Sequence, residues 1–157
     1  MSAQPGTDVV LAGIALHGLW SLGADGTWAQ LPGATFQNRP AWIEWDPDDP
    51  DRFWEAGIYN GPGAFATTDG GATFRQLGDA THIDAVSVDV TDPQRQTMLA
   101  PKHEVPEAIR STDGGSTWED VSSGLPADFG QAYASLVLGP DTFLLGSRMG
   151  EATGIAR

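Results

Sequence analysis

Apolar and polar residues alternate along this chain in short runs. Ala41-Trp42-Ile43-Glu44-Trp45 alternates and ends at an Asp-Pro turn, and Ala85-Val86-Ser87-Val88-Asp89 repeats the pattern. Arg52 to Ile58 is a short aromatic run bounded by Pro50 and Gly61, and Thr73 to Leu77 alternates directly after a Gly-Gly pair. A period of two predicts strands whose side chains point to opposite faces. Apolar residues at helical spacing extend over no more than a turn, near 127–132. The chain is therefore predicted to be all-β, with short strands joined by tight turns.

The runs belong to a longer repeat. Thr67-Thr68-Asp69-Gly70-Gly71-Ala72-Thr73-Phe74 matches Ser111-Thr112-Asp113-Gly114-Gly115-Ser116-Thr117-Trp118, 44 residues further on. A weaker copy, Ser21-Leu22-Gly23-Ala24-Asp25-Gly26-Thr27-Trp28, lies 46 residues before the first. A second signal runs in phase: Trp45-Asp46-Pro47-Asp48-Asp49-Pro50 corresponds to Val88-Asp89-Val90-Thr91-Asp92-Pro93, and loosely to Leu138-Gly139-Pro140-Asp141. A period of about 45 residues suits a propeller blade of four antiparallel strands or a two-helix repeat, and the strand pattern selects the blade. With strands a to d numbered from the centre, 8–38 supplies b, c and d of a first blade. Residues 39–81 and 82–129 are complete blades, and 130–157 supplies a, b and the start of c. The fold expected is a β-propeller of about three and a half blades, an incomplete ring.

Composition narrows the chemistry. The 157 residues carry a net charge of −13 and contain no cysteine. An acidic surface repels phosphate, so nucleic acid and anionic membrane are not expected partners. Thiolate nucleophiles, disulfides and cysteine-held metals are excluded. No cofactor fingerprint or metal-ligand spacing is present, and no signal peptide is visible, which leaves the compartment open. Asp46-x-Asp48-Asp49 looks like the opening of a calcium loop but lacks its glycine and its closing glutamate.

The Ser/Thr-x-Asp-x-Gly-x-x-Trp/Phe turns resemble the Asp-box, or BNR, repeat of sialidases, xyloglucan-active hydrolases, sortilin-like receptors and photosystem assembly factors. The resemblance implies a propeller whose boxes lie in the c–d hairpins, on the face away from the usual active site, with a structural role. Asp69 and Asp113 suit acceptance of turn N–H groups, the paired glycines suit positive φ, and Phe74 and Trp118 suit burial between sheets. Trp20, Trp28, Trp45 and Trp54 are expected in the same inter-blade core. Gly23 stands where the first box needs aspartate, so that turn is expected to be held less firmly.

Candidate ligand groups fall on the opposite face, where the d–a and b–c segments differ from blade to blade. They are Arg39, Tyr59, His82, His103 and Arg148 for binding, and Asp84, Glu104 and Glu151 as carboxylates should the protein be an enzyme. His82 and Asp84, two apart on one strand, are expected to share a side. Glycoside hydrolysis needs two carboxyls flanking one bond, and nothing in the sequence selects a pair. Trp42, Tyr59 and Tyr133 are candidates for stacking on sugars. The arginine triad of sialidases cannot be assembled from Arg39 and Arg148 alone. Two functions stand: a binding or scaffold propeller offering its channel face to a glycan or protein, and an Asp-box-type glycoside hydrolase. Half a ring leaves open edges, so a second copy of the chain, or the remainder of a longer one, is expected to complete it.

Overall fold

The computed structural model describes residues 1–33, 39–58, 63–148 and 155–156. It forms four antiparallel sheets in which strands follow one another in chain order. The first contains β1 (Ser2–Ala3), β2 (Val10–Ile14), β3 (Gly18–Leu22) and β4 (Trp28–Gln30). The second contains β5 (Arg39–Trp45), β6 (Phe53–Ile58), β7 (Ala64–Thr67) and β8 (Arg75–Gln76). The third contains β9 (Ser87–Val88), β10 (Met98–Pro101), β11 (Ala108–Ser111) and β12 (Glu119–Asp120). The last, β13 (Gln131–Gly139), β14 (Thr142–Arg148) and β15 (Ile155–Ala156), has three strands among the described residues. This is a β-propeller arc, an incomplete ring. The first sheet has one strand more than expected: Ser2 and Ala3 pair with Leu11 and Val10, although so short and polar a segment carries no alternation to read.

Each gap between sheets holds its own apolar core. Leu11, Leu19 and Phe53 fill the first, with Leu31, Trp45 and Phe74 packed around them. Trp54, Leu77, Ile83, Val86 and Met98 fill the second, with Trp118 at its rim. Leu99, Phe129, Val137 and Leu145 fill the third. Trp28, by contrast, is 43% exposed. Its counterparts Phe74 and Trp118 pack on the sheet that precedes theirs, and no described sheet precedes the first.

The c–d turns are built alike. The Thr67 hydroxyl donates to Asp69 Oδ1 at 2.8 Å and accepts the Gly71 N–H at 3.0 Å. Asp69 then accepts the Thr73 N–H at 2.9 Å and the Thr73 hydroxyl at 2.6 Å. Ser111, Asp113, Gly115 and Thr117 repeat every bond. These donors hold both carboxyls down at about 2, the Thr73 hydroxyl contributing most at Asp69 and the Thr117 N–H most at Asp113. The first turn is not left without a carboxylate. Asp25, two residues after Gly23, accepts the Thr27 N–H at 3.0 Å and its hydroxyl at 2.7 Å, so a neighbouring aspartate supplies the missing acceptor.

Consecutive sheets interlock at these turns. Gly71 and Gly115 have φ of 89° and 83°. A Cβ on Gly71 would stand 2.6 Å from Leu31 Cδ1, and one on Gly115 would stand 3.0 Å from Leu77. Leu31 and Leu77 directly follow the last strand of the preceding sheet, and each donates its N–H to that sheet's Leu19 or Ala64. The Trp118 indole adds a bond to the Leu77 carbonyl at 3.1 Å, and Gly33 N–H donates to the Gly71 carbonyl at 3.1 Å.

An ion pair ties the same end of the second and third sheets. Arg95, 5% exposed, grips Asp46 bidentately at 2.9 and 2.8 Å and reaches Asp48 at 2.7 Å. Burial opposes the charge on Asp46, but Arg95 and the Asp48 N–H outweigh it and keep the pKa below the ordinary range. The acids that look like a calcium loop are thus committed to a guanidinium. Arg95→Ala would leave the buried Asp46 carboxylate with only the long contact to Arg52 at 3.5 Å and the Asp48 N–H, and urea denaturation should show a loss of about 3 kcal/mol.

Glu55 is the exception in the core. It shares the β6 face of Phe53, lies across from Ile43 and Phe65, and has no solvent exposure. Neither carboxyl oxygen has a hydrogen-bond partner. Burial pushes its pKa from 4.5 to about 8. A raised carboxyl pKa means that the folded state binds the proton more tightly than the unfolded state. Stability is therefore fully present below pH 4.5 and declines as pH rises from there to about 8. Chemical denaturation across that window should show the decline, amounting to about 3 kcal/mol by pH 7, and Glu55→Met should abolish it.

Candidate functional site

The turns and the Arg95 clamp occupy one end of the sheets. The other end is formed by the segment before β9, the β10–β11 loop, the start of β13 and the end of β14. Here the third sheet extends beyond its regular strands through a bridge between Ile83 and Lys102. His103 N–H donates to the His82 carbonyl at 2.7 Å and Asp84 N–H to the Pro101 carbonyl at 3.1 Å, locking the two segments together. Ala132 N–H donates to the Val105 carbonyl at 3.0 Å, which brings the loop against β13.

His103 and Asp84 lie at the centre. Both side chains are 5% exposed, and His103 Nδ1 stands 2.8 Å from Asp84 Oδ1. The shared proton joins Nδ1 to Asp84, and the other ring nitrogen faces Glu104. Nε2 lies 3.4 Å from Glu104 Oε1, whose side chain is 61% exposed. The imidazole is therefore sandwiched between one sealed carboxylate and one open one. Asp84 Oδ2 is buried and has no hydrogen-bond partner. The bridge and backbone bonds fix the pair, and two residues at positive φ flank it, His82 at 53° and Glu104 at 62°. Non-glycine residues held there concentrate where a structure over-determines its backbone.

Asp84, His103 and Glu104, proposed separately from the sequence, are thus one cluster. His82 and Asp84 do not share a side as strand neighbours. The left-handed backbone at His82 breaks the alternation, leaving His82 exposed and Asp84 buried. Arg148, at the end of β14, lies over the Tyr133 ring with its guanidinium carbon 4.4 Å from the centroid. Trp42 does not offer a free sugar platform, since it packs on the core between the second and third sheets and donates to Glu44 Oε2 at 3.2 Å. Burial raises the Glu44 pKa. Tyr59 and Glu151 lie outside the described residues, and only the backbone of Arg39 is described, paired with Ile58. Among the described residues no group of three or more His, Asp or Glu is arranged to hold a metal.

Sequence reasoning missed Glu55 and the pairing of His103 with Asp84. A lone acid two positions from Phe53 in an aromatic run was the available signal for the first. For the second there was none, since the partners lie 19 residues apart on different strands. His103→Ala would leave Asp84 buried without its donor, and urea melts should register a loss of about 2–3 kcal/mol. His103→Asn, which keeps a donor, should recover part of it.

No family model matches the sequence, and no curated protein does. Solved structures do share the architecture. A GH74 enzyme from Niastella koreensis superposes with a TM-score of 0.68 at 18% identity, over 98% of this chain and 27% of that one. The GH74 xyloglucanase from Xanthomonas campestris gives 0.59 at 18%, over 92% and 26%. YCF48 from Cyanidioschyzon merolae gives 0.51 at 22%, over 71% and 33%. The chain spans about a quarter to a third of these proteins' lengths. All are β-propellers, and at this identity the likeness shows the fold, that of a propeller segment.

Proposed function

We propose that this chain is part of a non-catalytic propeller of the Asp-box class, which presents the end around Glu104, His82, Tyr133 and Arg148 to a glycan or protein. The support for the repeat class is the recurring hydroxyl–aspartate–glycine turn at two successive sheets. The support for binding over catalysis is the burial of Asp84. Hydrolysis of a glycoside needs two carboxyls that both reach the scissile bond. Of the proposed acids within the described residues, Asp84 is sealed at 5% exposure and committed to His103, which leaves Glu104 alone in solvent. Tyr133 is exposed and carries the half-buried Arg148 guanidinium over its ring, an aromatic–cationic pair suited to stacking and to hydrogen bonding with hydroxyl or carboxylate groups.

The terminal sheets leave Ile14, Leu16 and Trp28 uncovered at one end of the arc, and Leu136 and Leu138 at the other. Sheets from outside this chain complete the ring over these side chains, and the ligand then meets the finished channel end. The rival reading, a hydrolase, draws on the likeness to GH74 enzymes, which extends to the fold alone.

A panel of chromogenic glycosides and soluble xyloglucan separates the two. The expected outcome is no turnover, together with binding on a glycan array or capture of a protein partner that weakens in Arg148→Ala and Tyr133→Ala. Turnover abolished by Glu104→Gln would overturn the binding reading in favour of the hydrolase.

A further inference from the structure

Between the second and third sheets, at the end that carries the turns, lies a cavity of about 340 Å³. It falls at the small end of ligand sites, which run from about 300 to 1,000 Å³. The buried Trp54, Ala66 and Met98 form its apolar floor, and Arg52, Arg75 and Arg95 line its walls. Three of the chain's eight lysines and arginines thus meet at one cavity, in a protein of net charge −13.

The cavity belongs to the repeat, but its charge does not. The first gap has a cavity of about 300 Å³ in the corresponding place, lined by Leu11, Ser21, Phe53 and Gly70 among others. Strand register matches the two linings. Ser21 pairs with Leu11 as Ala66 pairs with Trp54, and Phe53 pairs with Trp45 as Met98 pairs with Val88. By the same register Val9 stands where Arg52 does, one residue before the second strand of its sheet. Ala29, opposite Ser21, stands where Arg75 does, opposite Ala66. In the third sheet that place holds Glu119, opposite Arg110. The fold therefore accepts an apolar residue, an acid or a base here, and packing alone does not call for two arginines.

Two of the three guanidiniums keep donors to spare. Arg95 is spent on Asp46, Asp48 and the Asp92 carbonyl. Arg75, exposed on β8, reaches across the gap with Nη2 to the Gly114 carbonyl at 2.9 Å. The contacts of Arg52 are long, 3.5 Å to Asp46 and 3.7 Å to Asp49, and its Nε is buried without a hydrogen-bond partner. A buried donor left unpaired is costly, and an acceptor entering the cavity relieves that cost. Asp113, the acid in the lining, has both oxygens occupied, Oδ1 by the Ser111 hydroxyl and the Thr117 N–H and Oδ2 by the Thr117 hydroxyl.

We propose that this cavity binds a small organic carboxylate, its carboxyl group between Arg52 and Arg75 and its apolar body on Trp54 and Met98. The guanidinium fork matches a planar carboxylate. The apolar floor favours such a ligand over a bare inorganic oxyanion. The site lies at the turn end and is independent of any ligand at the Glu104 end.

The test titrates benzoate into the isotopically labelled full chain at low ionic strength, followed by NMR. Saturable shifts are expected at the Arg75 Nε–H, the Trp54 indole N–H and the Gly114 amide. Benzyl alcohol, which keeps the ring without the charge, and inorganic phosphate, which keeps the charge without the ring, should each bind about tenfold or more weakly. Arg75→Gln should weaken benzoate about tenfold, through loss of a charge-assisted contact. Should that variant fail to fold, the shift pattern of the unaltered chain decides. A flat titration, shifts confined to other surfaces, or benzyl alcohol equal to benzoate overturns the proposal. So does phosphate equal to benzoate without a response at Trp54, which would assign the cavity to an inorganic anion.

Discussion

The contact on which the arc depends is the seating of one sheet's turn on the residue that ends the sheet before it. Two requirements meet at Gly71 and Gly115. The backbone adopts a positive φ that closes the hairpin, and the leucine beneath leaves no room for a Cβ. Glycine alone meets both without strain. The hydroxyl–aspartate network then makes the turn rigid enough to act as a packing surface, and Phe74 or Trp118 completes the wedge. The Arg95 clamp reinforces the same end. The opposite end lies away from the interlock, and among the described residues the Asp84–His103–Glu104 cluster, unlike the turns, occurs in one sheet.

Much of the chain's acidity has a local role. Asp25, Asp69, Asp92, Asp113 and Asp120 accept backbone or hydroxyl donors within their own turns, and each is held below the ordinary carboxylate range by those bonds. Asp46 and Asp48 face an arginine. Seven of the 21 acidic residues are thus accounted for by turn bonds or by the Arg95 clamp. Among the described acids, Glu55 is buried with neither carboxyl oxygen hydrogen-bonded, so its environment offers nothing in return for its desolvation.

The fold was legible because its determinants are local and repeated. Alternation marks strands, and the turn signature recurs at a fixed period, so the sheet order follows from the chain. What escaped depends on contacts between segments. The identity of the acceptor in the first turn required knowing that Asp25 reaches Thr27. The exposure of Trp28 depends on which sheet lies against it, which alternation within its own strand does not carry. The pairing of His103 with Asp84, and the burial of Asp84 beside an exposed His82, required the bridge at Ile83–Lys102 and a left-handed residue that alternation cannot reveal. Glu55 reads as a polar strand residue until both of its faces are seen to be covered.

The interlock also has a direction. Each seat precedes its turn by about forty residues, the spacing of one repeat. A sheet can therefore dock as soon as its own c–d hairpin closes, onto a surface already in place, without waiting for anything later in the sequence. The long-range order of the arc is built from loop closures of constant, modest length. During synthesis the chain can lay down its sheets one after another from the N-terminus, each serving as template for the next.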